Sequence, residues 1–173
     1  MSWMAKQKKI TGEVISKKEA HRIGAWHSSI HILIVNKDHT KTLLQKRCER
    51  KDLYPNMWDI AVGGHVSAGE DAITSAKREL EEELGLDSSK YDFQVFEVVK
   101  EMFHDHGVIS NEFVSCFVIY DDIDILSIQL QEEEVSEAKW CTKKELNEFI
   151  RNNQMIPHHR EYEILNEILK DTF

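Results

Sequence analysis

At 173 residues, with 41% hydrophobic and 31% charged side chains, the chain has the composition of a soluble globular protein and enough length to bury a core without disulfide or metal staples. A net charge of −9 excludes the broad basic footprint with which nucleic-acid-backbone binders release counterions, leaving room only for a local basic patch. Cys48, Cys116 and Cys141 are odd in number and far apart, so they read as reduced thiols and not as a disulfide frame or a zinc site.

Lys6, Lys8 and Lys9 lead into no apolar run, so no signal peptide is expected, and Ile32 to Val35 is far too short to cross a bilayer; a cytoplasmic protein is expected. Residues 1–16 are polar, with Ile10, Val14 and Ile15 as the anchors of a short edge element. Lys17 to Arg22 has helix-friendly composition, which Gly24 breaks. Trp26 to Asn36 (WHSSIHILIVN) reads as a buried strand, Lys37 to Thr40 as a turn and Lys41 to Arg47 as its hairpin partner. Arg47, Arg50 and Lys51 then gather ahead of a loop through Tyr54-Pro55; such a cluster is either solvated surface or a grip for phosphate oxygens. Met57 to Val66 is strand-like, with Trp58 in the core.

The stretch from Gly63 to Leu86, GGHVSAGEDAITSAKRELEEELGL, opens on the turn residues Gly63-Gly64 and Ser67-Ala68-Gly69. No glycine or proline follows until Gly85, and Ile73, Ala76, Leu80 and Leu84 recur at steps of three and four, as a helix with one buried stripe requires. Glu79, Glu82 and Glu83 share a face beside that stripe, with only Lys77 and Arg78 nearby. Taken alone they fit an exposed acidic face; as three repelling carboxylates they also suggest a hard divalent cation, Mg²⁺ or Mn²⁺.

Asp92 to Phe103 and Ile109 to Tyr120 read as strands paired across the turn His104 to Gly107, whose His104 and His106 read as exposed before they read as ligands. Gln131 to Glu137 is acidic, Ala138 to Cys141 is a short strand, and Thr142 with Glu145 caps a helix from Lys143. A last helix, about His158 to Lys170, sets Tyr162, Leu165, Ile168 and Leu169 on one side. No repeat, linker or low-complexity run divides the chain, so a single domain over 1–173 is expected.

The spacing Gly64-x5-Glu70-x7-Arg78-Glu79-Leu80-x-Glu82-Glu83-x-Gly85-Leu86 resembles the Nudix box of the Nudix (MutT-like) hydrolases at every defining position. That resemblance implies an α/β/α sandwich with a mixed β-sheet, and a loop-helix-loop that holds the divalent metal through Glu79, Glu82 and Glu83. Arg78 and Glu70 would orient helix and loop, and the reaction would be hydrolysis of a diphosphate linked to another group.

From Lys17 to Trp140 the chain is also similar to the isopentenyl-diphosphate isomerase branch of that superfamily, through WHSSIHILIVN, LLQKR, the loop Tyr54 to Asp59, and Glu133-Glu134-Val135. This second resemblance implies that Lys17, Arg47 and Lys51 hold a diphosphate, and that His21, His27, His65 and Glu112 bind metal or act on substrate. His21 and His65 read first as packing or hydrogen-bonding residues and second as ligands. Gly63 stands where those isomerases carry a catalytic cysteine, and the box is intact where theirs is degenerate, so their reaction is not expected. The expected activity is Mg²⁺-dependent hydrolysis of a nucleoside diphosphate derivative or another organic diphosphate, a small-molecule partner, with Glu82 as first choice of general base and Glu112 as second. An isomerase-like enzyme and a non-catalytic diphosphate sensor are the alternatives. A homodimer is left open, since no apolar stripe marks an interface.

Overall fold

The computed structural model describes residues 13–105 and 107–172. Strand β1 (Trp26–Val35) is apolar on both faces over its second half, the signature of a strand covered from two sides, and the sheet grows around it. β2 (Lys41–Arg47) pairs with it antiparallel through Ile34↔Leu43, and β6 (Val108–Tyr120) runs parallel to it from Trp26↔Asn111 to Val35↔Tyr120. β5 (Gln94–Asp105) forms the antiparallel hairpin with β6, and β7 (Val135–Thr142) lies along β2. With β3 (Trp58–Ile60) on β2 and β4 (Val62–His65) on β1, the sheet has seven strands and is mixed.

Alternation along β1 sends its side chains into two cores. Ile30, Ile32 and Ile34 pack with Ala76, Leu80 and Leu84 of α2 (Ala72–Leu84). Leu33 and Val35 pack with Leu146 of α3 (Lys143–Arg151) and with Tyr162, Ile164 and Leu165 of α4 (His159–Ile168). Helices on both faces of a mixed sheet make the expected α/β/α sandwich. Local signals bound these helices. Asp71 caps α2 by accepting from the Thr74 amide at 2.8 Å, and Gly85 ends it in the left-handed region at φ 64. Thr142 and Glu145 form a capping box at the start of α3. α1 (Lys17–Ile23) stops at Gly24, also left-handed.

Three expectations are corrected. Met57 to Val66 is two strands, because Ile60 pairs with Leu44 of β2 while Val62 pairs with Ile32 of β1, and the chain changes partner at Ala61. β7 begins at Val135, ahead of the expected Ala138, since a bulge lets Arg47 reach Val135. Val14 and Ile15 are exposed and belong to no element. Ile10 and His106 lie outside the described residues. Among the described residues no helix is long and apolar enough to cross a membrane.

Leu80 joins α2 to the sheet with no exposed surface. Leu80→Ala is expected to cost about 2–5 kcal/mol, read as a lower urea midpoint at unchanged slope.

Candidate active site

Arg78 organises the loop and helix around β4 and α2. Its guanidinium donates to Glu70 Oε2 at 3.3 Å, to Glu79 Oε1 at 2.7 Å and to Glu82 Oε2 at 3.4 Å. The same group reaches the His65 carbonyl at 3.3 Å and Ser67 Oγ at 3.2 Å, so one side chain ties the loop after β4 to the helix. Glu70 in turn accepts from Ser75 Oγ at 2.6 Å. Gly64 is needed where it stands, because a Cβ there would lie 2.4–2.6 Å from the Glu79 carboxyl group.

Glu79, Glu82 and Glu83 lie on one face of α2 and differ in burial. Glu83 is 7% exposed and accepts a hydrogen bond from Gln45 Nε2 at 2.8 Å. Burial pushes its carboxyl up to about 8, with Glu79 and Asp59 adding like charge. Burial also raises Glu79, against its pairing with Arg78. Glu82 is half exposed. One guanidinium cannot neutralise this set, so the face is short of positive charge. Three carboxylates with that shortfall fit a hard divalent ion by the chemistry of the donors alone.

A second group forms where β1, β4, β6 and α1 meet. His27 is the register partner of Glu112 and Ser29 that of His65, which brings the three side chains to one end of the sheet, and His21 of α1 closes over them. His27 Nε2 is 3.6 Å and His65 Nε2 3.9 Å from Glu112 Oε1. One ligand atom from each of His21, His27, His65 and Glu112 lies within 4.8 Å of the others. His27 Nδ1 is used on the Ala25 carbonyl at 2.9 Å, and His27 Nε2 and His65 Nε2 are buried without hydrogen-bond partners among the described residues. Burial holds the His65 imidazole down to about 4, so it is neutral near pH 7 and carries a lone pair. Burial opposes the charge of Glu112, but the His27 ring and the Ser110 hydroxyl outweigh it and hold the carboxyl well below the usual carboxylate range. Two orphaned imidazole nitrogens beside an ionised carboxylate fit a divalent cation.

Lys17, Arg47 and Lys51 line the same cavity of about 1270 Å³ as the three glutamates and Glu112. Lys51 pairs with Glu134, and Arg47 Nε donates to the Leu53 carbonyl at 3.1 Å. Burial and the neighbouring Lys51 lower the pKa of Lys17, against the opposing pull of Glu134 and Glu112. Gly63 also faces this cavity, with the His31 ring 3.4 Å from where a Cβ would sit.

Sequence reasoning missed Gln45 and a partly buried set formed by His31, Asp59, Glu101, His158 and Glu161. The one available signal was His31, a polar residue inside the apolar run of β1.

The sequence model of the NUDIX domain matches residues 25–162. Nudix hydrolase 3 of Arabidopsis thaliana is 35% identical over 161 residues, 91% of this chain; the chain spans only 21% of that protein's length. An uncharacterized Nudix hydrolase of Clostridium acetobutylicum is 37% identical over 139 residues, which cover 79% of this chain and 67% of that one. The NUDIX domain of Shewanella oneidensis NrtR, solved in complex with ADP ribose, has the same fold at 17% identity, with a TM-score of 0.60 over 88% of this chain and 98% of that one.

The buried Glu83 gives a pH test without divalent ions. Its carboxyl ionises near its ordinary 4.5 in the unfolded chain but near 8 in the folded one. The folded state therefore binds more protons in that window, and its stability falls as pH rises through it. In chelator, urea titrations should show Glu83→Gln removing a loss on the order of a few kcal/mol between those limits.

Proposed function

The chain belongs to the Nudix hydrolases, enzymes that act on phosphoric anhydride bonds, and from that premise we propose that it cleaves the diphosphate linkage of a nucleoside diphosphate derivative or another organic diphosphate, with Mg²⁺ or Mn²⁺. The observation that carries this reading is one cavity lined by both signs of charge, the carboxylates Glu79, Glu82 and Glu83 and the cations Lys17, Arg47 and Lys51. A metal–diphosphate complex is the ligand that meets both.

Glu79, Glu82 and Glu83 would hold the ion, which supplies Lewis acidity toward phosphoryl oxygens and toward a water molecule. Arg47, Lys51 and Lys17 would grip the oxygens on the other side, Arg47 with a bidentate fork. Glu70 and Arg78 fix the helix against its loop, so the carboxylates are set before substrate arrives. Glu82 is first choice to take the proton of the attacking water, because it is half exposed on the carboxylate face and its contact with Arg78 is long. Glu112 comes second, since Ser110 already donates to it. The NrtR neighbour's ADP ribose supports a nucleoside diphosphate derivative as substrate class. The three cysteines are free and buried, which suits a cytoplasmic protein.

One observation favours an isomerase-like second reading, the assembly of His21, His27, His65 and Glu112. Gly63 opposes it, having no thiol to offer.

Phosphate release from nucleotide sugars, dinucleotides, nucleoside triphosphates and prenyl diphosphates, with and without Mg²⁺, tests both. Metal-dependent cleavage that falls about 10²–10⁴-fold in Glu82→Gln is expected. Allylic product from a prenyl diphosphate without phosphate release would instead favour the isomerase. Lys51→Ala should raise KM more than it lowers kcat, because it removes a grip made before and during reaction alike.

A further inference from the structure

On the α4 side of the sheet, a second cluster of histidines and carboxylates borders the same cavity and takes no part in the chemistry above. His31 of β1 turns toward α4, in step with Leu33 and Val35, and its Nδ1 is 2.7 Å from Glu161 Oε1. Glu161 is completely buried, and its other oxygen, Oε2, has no partner among the described residues. His158, which precedes α4, sets Nδ1 3.2 Å from each oxygen of Glu101 on β5 and Nε2 3.3 Å from Asp59 Oδ1 on β3. The His31 and His158 rings meet edge to face at 4.4 Å.

Two features of this cluster call for a cation. Asp59, Glu101 and Glu161 bring three carboxylates against two imidazoles, so the group keeps a net negative charge even with both rings protonated. The orphaned Glu161 oxygen is fully buried, and a buried acceptor that lacks a donor or a cation is costly. A divalent ion in place of two ring protons leaves the charge count unchanged and can use the free oxygen. The geometry allows this: one ligand atom from each of His31, Glu101, His158 and Glu161 lies within 4.8 Å of the others.

We propose that His31, Glu101, His158 and Glu161 bind a divalent cation of the Zn²⁺ or Co²⁺ class. Two imidazoles and two carboxylates suit such borderline ions, whereas the all-carboxylate face of α2 suits Mg²⁺, so the two places in the cavity sort metals by donor chemistry. The ligands come from β1, β5 and the start of α4, and the ion pins the first turn of α4 to the sheet and fixes one wall of the cavity. The ion is bound there whichever diphosphate the enzyme cleaves.

The test uses the full chain, stripped with chelator and then given Zn²⁺ in the presence of excess Mg²⁺. Zinc retained through gel filtration is counted by elemental analysis, the Zn²⁺-induced shift in Tm is recorded, and Co²⁺ is substituted for its visible spectrum. Wild type is compared with Glu101→Gln, His158→Gln and His27→Gln, the last of which disables the His21–His27–His65–Glu112 group. The expected result is one zinc fewer in Glu101→Gln and His158→Gln, with a smaller Tm shift and a weaker Co²⁺ spectrum, while His27→Gln keeps the signal of this site. No retained zinc in wild type overturns the proposal, as does an unchanged zinc count and Tm shift in Glu101→Gln. Glu101 is partly exposed on an edge strand, so that variant keeps the fold and decides the matter if His158→Gln does not fold.

Discussion

The structure depends on one cation that is asked to do too much. Arg78 touches Glu70, Glu79 and Glu82 and also the loop at His65 and Ser67. Burial works against its charge, yet the surrounding carboxylates raise its pKa above that of an ordinary arginine. It holds the loop after β4 close enough to α2 for the Gly64 backbone to rest on the Glu79 carboxyl group. Having fixed the geometry, it leaves Glu83 without a positive partner. The scaffold is thus complete while the charge is not, which is the condition of a site preorganised for a cation it does not itself supply.

The same imbalance, with changing sign, recurs around the cavity. Carboxylates crowd α2, lysines and Arg47 line the same cavity, and imidazole nitrogens without partners among the described residues belong to His27 of β1 and His65 of β4. The groups come from different elements, the glutamates from α2, Lys17 from α1, Arg47 from β2 and the histidines with Glu112 from α1, β1, β4 and β6. Burial sharpens every one of these mismatches, since a low local dielectric makes an unmet charge more costly than it would be in water.

How much of this was legible in the sequence follows from the length scale of each pattern. The α2 face was readable because helix periodicity places Glu79, Glu82 and Glu83 together within one turn, and the capping of α3 because Thr142 and Glu145 are near neighbours. Gly64 and Glu70 stood out by spacing, although the reason for Gly64, its contact with Glu79, is visible only in three dimensions. The exchange of partners at Ala61 was hidden, since a continuous β-prone run gives no sign of which strand it will join. The cluster around Glu161 was hidden more deeply: its members come from β1, β3, β5 and α4, and His31 alone broke a pattern. Its partner lies 130 residues away, beyond any local rule.

The parallel pairing of β1 with β6 carries a further meaning for how the protein matures. His27 and Glu112 are opposite each other in that register, although the whole of α2 and β5 lies between them in the chain. Parallel strands so distant are slow to find one another, because the loop must close before any contact rewards it. A slip of one residue would also turn Glu112 to the opposite face of the sheet. The histidine–glutamate group therefore exists only in the correctly registered fold.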